Sequence, residues 1–362
     1  MSPRLIIACA AVLAAVAPAQ SIVSPANRDR FEGNSNSPYP LGRANGRFQQ
    51  IHADLGASAR SITGHAYRAD ATTQRSDVAA FSVDLEIALA VAARSPAQAS
   101  TTFTDNLGAG LATVLPRTLL NFPTTSRPAA DPAPFFEFRI PYATPFALPA
   151  GASGLCVDIV VHGNTSARGS NVNFLPYLDA QDFPTDGRSE LPGYRFGSGC
   201  AVSGSNLAAS ARFMTTRGLN ASLSLEIDLR DAVPSLGQLS ATTALVVGLG
   251  HAPQPWPTGT NCTLYPTLDV AVSLPVANDP SGDWFGYVGL PAALQDGQRF
   301  YVQCVSGVLG QGAGDLTFSD ASVVSIPPLG DATLRASRVA NGSNRAAATG
   351  TFARAVTVTE FF

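Results

Sequence analysis

The 362-residue chain contains no lysine: all 23 of its basic side chains are arginine. Charged residues make up 14% of it, against roughly 25% in typical soluble chains. No long run of either sign occurs, and the formal net charge is −3. Nucleic-acid backbones are held by clustered Lys and Arg, so the composition argues against nucleic acid as the main partner. Tryptophan and methionine occur twice each and histidine four times. No G-x-S-x-G elbow, Walker loop, G-x-G-x-x-G or H-E-x-x-H is present, and no His stands at local ligand spacing from another His or Cys. Beyond the first twenty residues, no apolar run approaches the roughly 20 residues a membrane helix needs. Hydrophobic residues (45%) are too many for wholesale disorder, and Gly 32 with Pro 27 requires frequent turns.

The first twenty residues read MSPRLIIACAAVLAAVAPAQ. Arg4, the apolar run Leu5–Val16 and Ala17-Pro18-Ala19 have the three-part form of a secretory signal, with cleavage expected after Ala19. The run is too short for a membrane span, and Cys9 lies too early for a lipoprotein signal. The expectation is export to the medium or cell surface.

Cleavage would remove Cys9 and leave Cys156, Cys200, Cys262 and Cys304, none in a C-x-x-C pair. That spacing disfavours a zinc knuckle or a thioredoxin-like redox pair. In an oxidising compartment, structural disulfides are the better reading, with three pairings open. Cys200–Cys262 is favoured, because it would staple the opening of the second domain to one of its middle strands. Cys156 and Cys304 are left as an interdomain pair or as separate thiols.

The dominant period is two. Phe81, Val83, Leu85, Ile87 and Leu89 alternate with Ser82, Asp84, Glu86 and Ala88, and Leu223, Leu225, Ile227 and Leu229 do likewise. Alternation of this kind buries one face of a strand. Further strands are expected at Phe135–Tyr142, Leu155–Val161, Leu245–Gly248, Leu268–Leu274, Trp284–Val288, Phe300–Val305 and Leu316–Val324. The chain is therefore expected to be all-β, with two antiparallel β-sandwich domains of jelly-roll or Ig-like type. The expected layout is a signal peptide over 1–19, sandwiches over 20–192 and 193–328, and a linker and tail over 329–362. The tail would supply an edge strand or act in surface sorting.

Short motifs add a resemblance. Glu32-Gly33-Asn34-Ser35-Asn36, Arg47-Phe48-Gln49-Gln50-Ile51 and Phe103-x-x-Asn106 open the chain. Phe196-Gly-Ser-Gly-Cys200, Asn261-Cys262-Thr-Leu-Tyr265, Phe300-Tyr-Val-Gln303 and Thr317-Phe-Ser319 follow. Together these resemble large secreted protein families of planctomycete-type bacteria, whose carboxy-terminal module carries a Gly-Cys start and a Cys-x-Leu-Tyr strand. Asn261 and Phe300 depart from the glycine and leucine usual there. The resemblance implies an exported β-rich module and no particular catalysis.

Candidate site residues are few. Trp256 and Trp284 sit in turn-rich sequence, where flat aromatics on loops stack on sugar rings, with Tyr287 and Tyr265 as flanking rings; the alternative is that they close the sandwich core. Asp179, Asp182 and Asp186, with Asn171 and Asn173, are oxygen ligands of the kind Ca²⁺ takes, although they lack a regular calcium loop; a solvated connector explains them as well. His65 and His162 are the best-placed members for a dispersed Ser-His-Asp site. The leading expectation is a secreted, non-catalytic structural or adhesive protein of the cell surface or medium, without cofactor. Carbohydrate or glycan binding is the alternative, followed by a hydrolase with a dispersed site.

Overall fold

The computed structural model describes residues 21–362 except 27, 30, 56–57, 71–77, 126–134, 166–175, 202–206, 235–240, 257–260, 275–278, 309–315 and 331–332. The expected signal with Cys9, and Asn171 and Asn173, lie outside the described residues. The chain is all-β and built from antiparallel sheets. Helical structure among the described residues is confined to two short 3-10 turns, Pro96–Gln98 and Phe103–Asn106. No helix among them is long and apolar enough to cross a membrane.

The first part of the chain forms β1 (Ile22–Ser24), β2 (Ser35–Ser37), β3 (Gly46–His52), β4 (Arg60–Tyr67) and β5 (Phe81–Val91). It continues through β6 (Ala112–Phe122), β7 (Phe138–Leu148), β8 (Leu155–Asn164) and β9 (Leu178–Asp182). The last part forms β21 (Ala336–Asn341), β22 (Thr351–Ala353), β23 (Ala355–Thr357) and β24 (Thr359–Phe361). These thirteen strands make one sandwich. A sheet of order β22-β21-β3-β8-β5-β6 faces two smaller sheets, β1-β24-β4-β7 and β2-β9-β23. In β5 the alternation works as read: Phe81, Val83, Leu85, Ile87 and Leu89 are at most 4% exposed. Burying side chains of this kind contributes roughly 1.5–3 kcal/mol each. They meet Phe48, Tyr67, Phe138, Ile140, Ile159, Leu178 and Phe361 from the other strands.

The middle of the chain forms β10 (Ser189–Pro192), β11 (Tyr194–Phe196), β12 (Ser210–Arg217), β13 (Leu223–Arg230) and β14 (Ala241–Gly248). Then come β15 (His251–Pro255), β16 (Thr263–Pro266), β17 (Val270–Ser273), β18 (Trp284–Gly289), β19 (Arg299–Val308) and β20 (Thr317–Ser325). A sheet of order β10-β12-β13-β18 packs on one of order β11-β20-β19-β14-β17, with β15-β16 as a separate hairpin. Leu225, Ile227 and Leu229 of β13 are fully buried against Leu245, Val302, Cys304 and Val324.

Two expectations about the layout need correction. The described part of residues 329–362 supplies four strands, two of them at sheet edges, and so more than a linker and a single edge strand. Arg338 pairs with Gln50 of β3 on one side and Ala353 of β22 on the other, and β24 lies between β1 and β4. Val339, Val356, Val358 and Phe361 are at most 1% exposed, and that burial draws the segment into the first sandwich. The second sandwich is therefore an insertion in the first. The crossing also lies upstream of residue 193: β10 already pairs with β12, Leu191 opposite Thr215, and Leu191 is 2% exposed. The boundary falls between Asp182 and Ser189.

The Cys200–Cys262 disulfide is present, with Cα atoms 5.2 Å apart. Cys156 and Cys304 are buried free thiols and not an interdomain pair. Cys156 packs with Ile51 and Ala92 in the host sandwich, and Cys304 lies in the core of the inserted one. Burial pushes both thiols well above the ordinary range.

Candidate functional site

Where the chain passes between sandwiches, Glu32-Gly33-Asn34 runs beside β9. A Cβ at Gly33 would sit 1.8 Å from the Ala180 carbonyl oxygen, so only glycine fits. The Gly33 amide donates to Asp179 Oδ1 at 2.7 Å, and Arg68 Nε and Nη2 donate to Asp179 Oδ2 at 2.7 and 2.6 Å. The Arg68–Asp179 pair is fully buried, and the guanidinium stacks on Phe136 at 4.7 Å. Neighbouring groups bind the inserted sandwich: the Glu32 amide donates to Tyr194 Oη at 2.7 Å, and Asn34 Nδ2 to Glu190 Oε2 at 2.6 Å.

The three aspartates expected to gather as calcium ligands are not brought together. Asp179 is committed to Arg68, Asp182 is exposed at the end of β9, and Asp186 pairs with Arg188 at 3.1 Å. The tertiary structure supplies the Arg68 guanidinium to the buried carboxylate, which neutralises its charge. Among the described residues no three His, Cys, Asp or Glu side chains form a metal-holding group.

Above this network lies a cleft of about 640 Å³, walled by Phe183, Pro184 and Arg188 from the outward crossing and Pro328, Leu329 and Arg335 from the return. Arg28, Phe31, Gln181 and Arg354 also line it, and Asp29 and Asp296 are its carboxylates. It lies within the usual range of small-molecule sites, roughly 300–1,000 Å³.

A second surface lies on the outer face of the sheet β10-β12-β13-β18. Trp284 at the start of β18 points inward and is 6% exposed, so the strand's alternation sends Phe285 (58% exposed) and Tyr287 (60% exposed) outward. Their rings meet edge to face at 5.5 Å. In register beside them on β13 are Asp228 and Glu226. Tyr287 hydrogen-bonds Glu226, whose charge raises the phenol above its ordinary value. Asp228 accepts from Arg230 Nε at 2.7 Å.

Of the expected sugar platform, only Tyr287 is at the surface. Trp284 fills the core with Leu229, and half-buried Trp256 packs on Phe318 at 5.1 Å beside the disulfide. A large indole offers more burial than a short loop leaves solvent-exposed, which draws both inward. Phe285 went unnoticed although the sequence Trp284-Phe-Gly-Tyr287 carried the signal: one indole inward fixes both neighbouring rings outward. Tyr265 belongs elsewhere, in a cluster with Phe196, His251 and Tyr301. Its ring packs over Gly197, whose φ of +69° and lack of a side chain make room for it.

Among the described residues the histidines do not assemble a triad. His65 is fully buried, its Nδ1 hydrogen-bonded to Tyr142 Oη at 2.7 Å, and burial lowers its pKa to about 3. His52, also fully buried and held to about 3, meets Ser24 Oγ at 2.7 Å. Ser24 donates its only proton to Asp54 Oδ1 at 2.5 Å, so His52 Nδ1 must be the donor to Ser24. The serine thus stands between imidazole and carboxylate, the wrong order for activation. His162 faces Glu86 at 3.4 Å on the host sandwich.

The fold and these surfaces define a two-sandwich protein, one sandwich inserted in the other, with a cleft at the junction and an aromatic strip on the inserted unit. No protein-family model matches the chain, and neither does any curated protein. A solved structure provisionally assigned as a β-galactosidase of Bacteroides fragilis aligns over 81% of this chain and 35% of that one, at 11% identity and a TM-score of 0.18. The chain spans little more than a third of that protein's length, and so low a score carries no argument.

Proposed function

We propose that the chain is an exported, non-catalytic adhesive protein that holds neutral carbohydrate on the outer face of its inserted sandwich. The observation that carries this reading is the exposed Phe285–Tyr287 pair beside Glu226 and Asp228. Pyranose rings present apolar C–H faces and hydroxyl edges; the aromatic rings take the former and the carboxylates the latter. A sheet face holds these groups in fixed register, so little ordering entropy is lost on binding. Export is supported by the signal-like first twenty residues and by the Cys200–Cys262 bridge, which suits an oxidising compartment. The cell surface or the medium is the proposed location.

A glycan array probed with the purified chain tests the reading. Neutral glycans should bind, and Tyr287→Ala and Phe285→Ala should each weaken binding by about tenfold, equivalent to about 1.4 kcal/mol. Binding unchanged in both variants would remove the strip as the site. Amino-terminal sequencing of secreted material tests export: a start near Gln20 is expected, and a chain retained in the cytoplasm would exclude it.

A further inference from the structure

The junction cleft has a donor and acceptor set that its own residues leave incomplete. Arg28 is 7% exposed, yet its hydrogen-bond partners among the described residues are two backbone carbonyls, Glu32 O and Glu190 O, each at 3.2 Å. Burial lowers its pKa to about 10, and the nearby charges of Asp179 and Glu190 only partly offset this. Arg354 donates Nε to the Phe183 carbonyl oxygen at 3.1 Å and forms no ion pair among the described residues. By contrast, Asp296 is held by Arg217, and Arg188 by Asp186 and Glu190. Gln181 is 4% exposed; its Nε2 donates to the Asp182 carbonyl oxygen, while its Oε1 has no hydrogen-bond partner among the described residues. A buried acceptor without a donor costs roughly 1–3 kcal/mol.

These groups describe a ligand. Two guanidinium groups call for an oxyanion, and their planar forks match a carboxylate in two-pronged fashion. The orphaned amide oxygen calls for a hydrogen-bond donor, which a carboxylate alone does not supply. Phe31 and Phe183, both half-buried in the wall, offer faces for an apolar ring surface. One molecule carrying a carboxylate, hydroxyls and an apolar ring face is a sugar acid. We propose that the cleft between the two sandwiches binds a uronate-bearing saccharide, its carboxylate on Arg28 and Arg354 and a hydroxyl on Gln181. This site uses none of the residues of the aromatic strip, and either can fail without the other.

Calorimetric titration of the purified full chain with digalacturonate, galactobiose and sodium phosphate at matched ionic strength tests it. Digalacturonate should bind, with affinity falling as salt rises. In the Tyr287→Ala chain, where the aromatic strip is disabled, galactobiose should bind at least tenfold more weakly than digalacturonate, and phosphate should not displace digalacturonate. Arg354→Gln should lower digalacturonate affinity about tenfold or more, since charge-assisted hydrogen bonds contribute about 1.5–3 kcal/mol. Gln181→Leu should lower it severalfold while leaving the binding of acetate, which has no hydroxyl, unchanged. Tyr287→Ala should leave it unaffected. Because Arg354 is only half-buried, its variant should keep the parent melting temperature within a few degrees. Equal affinity for digalacturonate and galactobiose in the Tyr287→Ala chain, displacement by phosphate, or wild-type affinity in both cleft variants would overturn the proposal.

Discussion

The two sandwiches are stabilised by different means. The host sandwich encloses polar and charged groups: the Arg68–Asp179 pair, His52 and His65 are all fully buried. Gln49 and Asn106, near Phe103, are also buried and bonded to one another at 3.0 Å. The inserted sandwich packs Leu225, Ile227, Leu229, Val302 and Val324 in its core, with a disulfide at one end, and its buried polar groups, such as Thr215, Gln303 and Ser322, are chiefly uncharged. A core of aliphatic side chains tolerates changes of pH and single charges, whereas a core with buried ions and neutral imidazoles depends on every partner being in place. The host, assembled from both ends of the chain, has the more exacting interior.

The largest test of that contrast is Asp179→Asn. Leaving the Arg68 charge buried without its carboxylate should cost about 3–5 kcal/mol, and proteolysis should then degrade the host strands first. Equal loss of both sandwiches would make them one cooperative unit. Reducing Cys200–Cys262 should act on the other side of the comparison, lowering the stability of the inserted sandwich by up to about 4 kcal/mol for a loop of this length. Hydrogen exchange in β13 and β19 should rise while that in β5 and β8 holds.

Acid should again separate the two. Folding lowers the pKa of His52 and His65 from 6.5 to about 3. Between those values the unfolded chain binds the extra protons, so stability is whole above about pH 6.5 and declines as pH falls. The slope is about 1.4 kcal/mol per pH unit for each ring. Asp54, raised by burial, acts with the opposite sign and only near the carboxylate range. Melting curves of the host sandwich between pH 7 and pH 5 should show the decline, and His65→Phe should roughly halve it; a flat profile would refute the assignment. The smallest effect expected is that of Trp256→Phe, which keeps a ring on Phe318 and should cost about 1 kcal/mol or less of inserted-sandwich stability. The same change should leave glycan binding intact, separating Trp256 from Tyr287.

Much of the strand content was legible from period-two patterning, because a half-buried strand cannot avoid alternating. β5 and β13 appear where the pattern places them, and the Cys200–Cys262 bridge joins the segments chosen for it. Short or irregular strands were missed. β9 reads Leu-Asp-Ala-Gln-Asp, yet its first four residues are buried, because Arg68 neutralises Asp179 and strands on both sides pair its backbone. The tail is expected to supply an edge strand, and β22 and β23 do lie at sheet edges; that β21 and β24 are paired on both sides is not legible locally, because their partners come from the start of the chain.

By itself the sequence determined the all-β class, through local periodicity, and favoured the Cys200–Cys262 bridge among three open pairings. The tertiary structure decided the insertion of one sandwich in the other, the inward turn of both tryptophans and the outward pair Phe285 and Tyr287. It alone gathered Arg28, Gln181 and Arg354 from distant stretches of chain onto one cleft. Their meeting depends on which strands pair across 150 residues or more, and pairing at that range is set by burial and register summed over the whole chain, not by any short stretch of it.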